Sequence, residues 1–245
     1  MATRLVHMVI DAHDPAGLAR FWAGALDWEV GVDEPEEATV WPPGFDYPAP
    51  GALPLVFVPV PESKTVKNRI HLDLATQSTA HQQGLVGRVR DLGAVPVDIG
   101  QRDVPWVVLA DPEGNEFCVL EPRDTYRDTG PVAAIVVDSA VPAGVADFWT
   151  VAGGWHLQNN GNGVVSLRAP QASGPYLEFL PSTDPRRVKN RVHLDVAPYP
   201  GDDHAAAVEL SLRSGAVRAD VGQGDVTFAV LADPEGNEFC VLSSR

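Results

Sequence analysis

Three things are scarce in this chain of 245 residues: cysteine, methionine and positive charge. Its two cysteines, Cys118 and Cys240, are too few for a disulfide framework, so a reducing compartment is expected. Lys and Arg number 18 against 33 Asp and Glu, a net charge of −15. That balance excludes nucleic acid and anionic membrane surfaces as partners, because phosphate contacts need clustered cations. Long apolar runs are missing as well. The opening MATRLVHMVIDAHD reaches charged residues before any such run builds up, so neither a signal peptide nor a membrane span is expected. The expectation is a cytoplasmic protein. With 44% hydrophobic and 21% charged residues the composition is that of a folded globular chain, which excludes disorder.

What the chain does have is a repeat, the feature to be read before any other. LADPEGNEFCVL at 109–120 returns unchanged at 231–242, and KNRIHLDL at 67–74 returns as KNRVHLDV at 189–196. Both pairs lie 122 positions apart. The expected organisation is two copies of one domain, residues 1–122 and 132–245, joined by a linker at 123–131.

Alternation and turn chemistry place the elements. Thr3–Asp11 reads as a strand with Leu5, His7 and Val9 on one face. Asp14-Pro15 reads as an N-cap with proline at the first helical position, and Leu18, Phe21, Trp22 and Ala25 follow at helical spacing. Strands are expected at 28–32 and 55–60. The acidic, Pro- and Gly-rich stretch 33–53 between them is expected to be a long loop with a short strand at Thr39–Trp41. In 69–75 Arg69, His71 and Asp73 share one face and Ile70, Leu72 and Leu74 the other. A helix over 79–92, strands at 95–99 and 106–109, a type I turn at Asp111–Gly114 and a returning strand at 117–120 complete the copy. The second copy repeats the plan, with 159–174 expected as a shorter counterpart of the 33–53 loop. The order is thus β-α-β-β-β twice per copy, an α+β fold.

Four such units, a histidine in the first strand and the DPEG hairpin resemble the vicinal oxygen chelate superfamily, and within it the glyoxalase-like domains. The resemblance covers nearly the whole chain. It implies units paired into cup-shaped mixed sheets with helices outside. It also implies His and Glu side chains in the cup that hold a divalent metal, which in turn holds two neighbouring oxygens of a substrate. Carried over residue by residue, the first ligand position is His7 in copy one and Ala134 in copy two. The second is Glu178 in copy two and Val56 in copy one. The third is His71 and His193, and at the fourth Cys118 and Cys240 stand where the family has glutamate. Pairing within copies gives the sets His7, His71, Cys118 and Glu178, His193, Cys240. Pairing across copies gives His7, His193, Cys240 and His71, Cys118, Glu178. Neither is complete. Because His71 and Asp73 point together, Asp73 is a candidate replacement carboxylate beside His7 and His71, a two-His, one-carboxylate set suited to Fe(II). The alternative is that Arg69 and Asp73 pair across strands and His71 hydrogen-bonds Asp73.

The candidate catalytic residues are therefore His7, His71, Glu178 and His193, and the candidate metal ligands are His7, His71, Asp73, Glu178 and His193. Candidate substrate contacts are Arg69, Arg191, Trp41 in the aromatic WPPGFDY stretch, and Trp106. Cys118 and Cys240, flanked by Phe, Val and Leu, read as packed hydrophobes. Two functions stay open. One is a metal-dependent enzyme of lyase, isomerase or dioxygenase type using Zn, Ni, Mn or Fe(II) on a small vicinal-oxygen substrate. The other is a metal-free protein that sequesters an aromatic or drug-like small molecule, as bleomycin-resistance proteins do. The assembly is expected to be either a monomer whose copies pair about a pseudo-twofold axis or a homodimer.

Overall fold

The computed structural model describes residues 3–34, 36–47 and 53–244. The first unit holds β1 (Thr3–Ala12), α1 (Pro15–Leu26), β2 (Glu29–Glu34), β3 (Glu37–Trp41) and β4 (Leu55–Pro59). The second holds β5 (Ile70–Leu74), α2 (Thr79–Asp91), β6 (Val95–Pro96), β7 (Val107–Ala110) and β8 (Glu116–Val119). After a 3-10 turn at Asp124–Tyr126 the third unit follows: β9 (Val132–Ser139), α3 (Pro142–Ala152), β10 (His156–Gly161), β11 (Val164–Arg168) and β12 (Tyr176–Pro181). The fourth holds β13 (Val192–Pro198), α4 (His204–Arg213), β14 (Val217–Arg218), β15 (Ala229–Ala232) and β16 (Glu238–Val241).

The units pair across copies. One eight-stranded sheet runs β14-β15-β16-β13-β1-β4-β3-β2 and joins units one and four. The other runs β10-β11-β12-β9-β5-β8-β7-β6 and joins units two and three. At each seam two first strands meet antiparallel, β1 with β13 and β5 with β9. Both sheets are mixed, since β1 runs parallel to β4 and β5 parallel to β8. Within a copy the chain must therefore cross from one sheet to the other, at 60–69 in copy one and 182–191 in copy two.

The helices lie between the sheets. Helix α1 packs on β3 and β4 of the first sheet, while its Trp22 ring meets Phe117 of β8 in the second sheet at 5.2 Å between centroids. Copy two repeats this with Trp149 of α3 against Phe239 of β16 at 5.3 Å. Alternation does the sorting. Met8 and Ile10 of β1, like Leu72 and Leu74 of β5, turn inward to one continuous buried core. Residues of the opposite parity face the two cups, each with its own small apolar cluster.

Two expectations change. The stretch 159–174 is not a plain loop but part of the hairpin β10–β11, with Gly161 opposite Val164. Asn162 (φ 55°) and Gly163 (φ 81°) both take positive φ, as a type I′ turn requires. The strand had no apolar alternation to announce it, because β10 is an exposed edge written HLQNNG. Conversely, the strand expected at 95–99 shrinks to Val95–Pro96. The 33–53 loop carries β3, longer than expected by two residues; its residues 48–52 lie outside the described part of the chain.

The two sheets are stapled by the duplicated motifs. Glu235, in the turn of the fourth unit, accepts from Ser139 Oγ (2.9 Å) and from the backbone N–H groups of Ala140 (3.1 Å) and Val141 (2.7 Å) in the other sheet. Arg69 donates to Glu235 at 3.3 Å, to Asn237 Oδ1 at 3.2 Å and to the carbonyls of Asp138 (2.7 Å) and Asp184 (2.8 Å). The mirror staple joins Glu113 to the N–H groups of His13 and Asp14 and to Arg191, which also donates to the carbonyls of Asp11 and Glu62. Both arginines, expected to touch substrate, thus spend their guanidinium groups on protein oxygens, because each must bridge two sheets at the crossover. Removing one glutamate leaves a nearly buried arginine without its counter-ion. We expect Glu113→Ala and Glu235→Ala each to lower stability by about 2–4 kcal/mol in urea unfolding; losses below about 0.5 kcal/mol would mean the staples are ornamental.

Candidate functional site

Each cup floor is laid out by the strand register. In the second cup His71 of β5, Val136 of β9, Glu178 of β12 and Ser166 of β11 form one row, and Cys118, Asp73, Ala134, Tyr176 and Arg168 the next. In the first cup the same rows hold His193, Val9 and Val56, then Cys240, Asp195 and His7. The observed sets are those of the cross-copy arrangement. His7 and His71, expected to share a metal with Asp73, stand in different sheets and cannot do so.

A shared donor set appears instead. Ligand atoms of His71, Asp73 and Cys118 all lie within 4.8 Å of one another, and so do those of His193, Asp195 and Cys240. The cysteines, expected to pack as hydrophobes, do so on one side, while their sulfurs lie within 4.8 Å of a carboxylate oxygen of Asp73 and Asp195. Burial, reinforced by the neighbouring carboxylate, pushes both thiols well above the usual cysteine range. Burial also lowers the pKa of His193, against the pull of Asp195, so its imidazole is held neutral, the form that ligates. His71 Nε2 lies 3.5 Å from Asp73 Oδ1, and the nearest pairing of Arg69 is with Glu235 rather than Asp73.

The two cups differ in what covers them. In the first, Tyr47 reaches in from the stretch after β3 and its hydroxyl meets His7 Nε2, while His7 Nδ1 faces Asp195 Oδ2 at 3.3 Å. The rings of Trp41, Phe45, Tyr47 and His7 follow one another at 6.2, 4.7 and 5.8 Å. Trp41, expected to stack on a ligand, anchors this chain: its ring lies so close over Gly31 that an added Cβ there would be 2.1 Å from it. In the second cup the linker supplies Tyr126, which donates to both Glu178 oxygens at 3.1 and 3.2 Å; Ser166 donates to Oε1 at 2.9 Å. Arg123, also from the linker, lies 5.5 Å from the Trp106 ring centre and 5.9 Å from that of Tyr126. Trp106 packs, partly buried, against the apolar cluster of this cup. Sequence reading missed Tyr126, Arg123, Ser166 and Tyr47; only the clustering of aromatics in WPPGFDY pointed at the last. Of the remaining histidines, His13, His81 and His156 are exposed and His204 Nε2 sits 3.0 Å from the Val241 carbonyl oxygen.

The model of the glyoxalase-like domain matches residues 7–120 and again 134–242. The chain belongs to the glyoxalase-like domain family. Among solved structures, glyoxalase I from Zea mays aligns with 99% of this chain and 92% of its own, with a TM-score of 0.65 at 14% identity. Half-length relatives include a glyoxalase/bleomycin resistance protein/dioxygenase family enzyme from Burkholderia phytofirmans PsJN and a glyoxalase/bleomycin resistance protein from Albidiferax ferrireducens T118. The first covers 47% of this chain and 96% of its own at 16% identity and TM-score 0.38. The second covers 49% and 98% at 17% identity and TM-score 0.36. At such identities the likeness is one of fold. No curated protein sequence matches the chain. Among the described residues no helix is long and apolar enough to cross a membrane.

Burial raises the Glu178 pKa above the usual glutamate value, opposed by the donors Ser166 and Tyr126. A carboxyl whose folded pKa exceeds its unfolded one favours folding below the unfolded value and loses that contribution as pH rises through the folded value. Glu178→Gln, which keeps the side-chain shape and one acceptor oxygen for Ser166 and Tyr126 without the charge, should therefore be more stable than the parent at pH 7–8, and the gain should vanish below about pH 4. Thermal melting across that range checks it; equal differences at both ends would contradict a buried, proton-seeking carboxyl.

Proposed function

We propose that this glyoxalase-like protein is a metal-dependent enzyme acting on a small molecule with two neighbouring oxygens, and that the second cup is its working site. The observation that carries the reading is the convergence of His71, Asp73 and Cys118 within 4.8 Å, in the same cup as the buried Glu178 carboxyl. The donor set fits a metal. His71 Nδ1 and Asp73 Oδ1 are buried and have no hydrogen-bond partner among the described residues, an arrangement that an isolated protein interior avoids. A thiolate, an imidazole and a carboxylate together suit Zn(II), softer than the Mn or Fe(II) that an all-oxygen or His-carboxylate set would take. Held there, the metal supplies Lewis acidity toward a bound oxygen.

The other groups of this cup bind and move protons. Glu178, kept in low-dielectric surroundings, takes or returns a proton at a carbon or oxygen of the substrate, and Tyr126 and Ser166 fix its orientation. Trp106, Tyr126 and Tyr176 with Arg123 and Arg168 form a wall for a planar or oxygen-rich body. The same wall favours the second reading, metal-free sequestration of an aromatic small molecule. In the first cup His7 has both ring nitrogens engaged, so this side binds metal only through His193, Asp195 and Cys240.

Co(II) separates the readings without an activity assay. We expect the purified protein to take up about one Co(II) per cup with a near-ultraviolet thiolate band, and Cys118→Ser to remove about half of it. Absence of any thiolate band in the parent protein would leave the sequestration reading standing alone.

A further inference from the structure

A cavity of about 800 Å³ opens between the two crossovers that carry the chain from sheet to sheet. Its wall is made by residues 60–70 and 184–192, with Asp11, Asp138 and Val221 at the sides, and includes none of the polar groups on either cup floor. Its position on the pseudo-twofold axis makes the lining repeat: Lys64, Lys67 and Arg69 face Arg186, Lys189 and Arg191, their equivalents 122 positions on. With Arg187 these are seven of the 18 cations in the chain, gathered around one cavity of a protein whose net charge is −15.

Cations and carboxylates share this lining. The wall itself holds four carboxylates, Asp11, Glu62, Asp138 and Asp184. Four others that pair with the cations, Glu113, Glu116, Glu235 and Glu238, stand behind the wall and not in it. Lys64, Lys67 and Lys189 each spend one of three ammonium donors on a protein carboxylate. Arg187 is exposed with no ion pair among the described residues, and Arg191 Nε is buried without a hydrogen-bond partner. Apolar surface shares the space. Val66 and Val188, again equivalent, remain 38% and 45% exposed at the cavity, beside Val60, Pro61 and Pro185.

We propose that this central cavity is a second ligand site, distinct from both cups, that takes one organic anion per chain: a carboxylate or phosphate carried on an apolar body. Its volume is in the range that encloses a small organic ligand, about 300–1,000 Å³. The aliphatic pair receives the body, and the spare lysine donors with Arg187 receive the charge. A single ligand touches both crossovers, so it bridges the two sheets at the same place as the glutamate staples.

The fluorescent anion 8-anilinonaphthalene-1-sulfonate is the probe, with octanoate, octyl phosphate and octanol as competitors. We expect about one probe per chain, displaced by the octyl anions at least tenfold better than by octanol. The stronger of octanoate and octyl phosphate identifies the headgroup. Arg187→Glu should weaken the probe about tenfold and Val66→Trp should block it. Both side chains are exposed, so melting temperatures near that of the parent will confirm that the fold survives. Unchanged affinity in either variant, displacement by octanol as strong as by the anions, or a probe that responds to Trp106→Ala in the second cup instead, overturns the proposal.

Discussion

The fold turns on two partly buried carboxylates, Glu113 and Glu235, each thrown across from one sheet to the other. Neither is capped by its own turn; each caps the start of a helix that belongs to the opposite sheet and meets an arginine there. Helices α1 and α3 differ in their own caps. The N-cap of α3 is Val141, whose side chain makes no capping hydrogen bond, whereas α1 begins with Asp14, whose carboxylate accepts from Gly17. Glu235 accepts from the N–H groups of Ala140 and Val141 just ahead of α3, and its charge sits where the helix dipole favours it. Beneath each staple an aspartate, Asp111 or Asp233, ties the turn to its own Asn side chain and backbone. Asp111 is buried deeply enough that its pKa rises to about 6 despite these donors. The turn is rigid because its polar groups have no water to fall back on.

That rigidity positions the cups. The strand following each turn is β8 or β16, and it carries Cys118 or Cys240 beside the aspartate of the neighbouring parallel strand. The same repeated stretch therefore builds the joint between sheets with its first half and places the cysteine of each His–Asp–Cys cluster with its second. Asymmetry enters through exchanges within the copies, His7 against Ala134 and Glu178 against Val56, and through the segments that cover each cup. Tyr47 closes on His7 in one cup, and Tyr126 from the linker holds Glu178 in the other, so two floors with the same triad face different chemistry.

Much of this was legible before the structure. The duplication, the units, the helices at 15–26 and 79–91 and the DPEG turns follow from periodicity and turn chemistry, which are local. The candidates His71, Glu178 and His193 do occupy cup floors. What local reading could not supply is which unit pairs with which, since KNRIHLDL presents the same faces in either arrangement; that choice separated His7 from His71. The staple role of Arg69 and Arg191 was hidden because a charged residue alternating with histidine in a strand looks the same whether or not its guanidinium reaches the other sheet. The hairpin at Asn162-Gly163 was announced by its turn dipeptide and hidden by the polar edge strand beside it. Tyr126 carries no periodic signal at all, sitting in a linker whose path depends on everything around it.

Pairing across copies also sets an order of assembly. Strand β5 finds its seam partner β9 about 60 residues later, whereas β1 waits for β13, whose register joins Thr3 to Pro198 and Ile10 to Val192. During synthesis the second sheet is complete while the first is still half made, with β1 presenting an unpaired edge until the last unit leaves the ribosome. A ribosome that stalls in the final fifty or so codons releases a chain with one finished sheet and one open to intermolecular association.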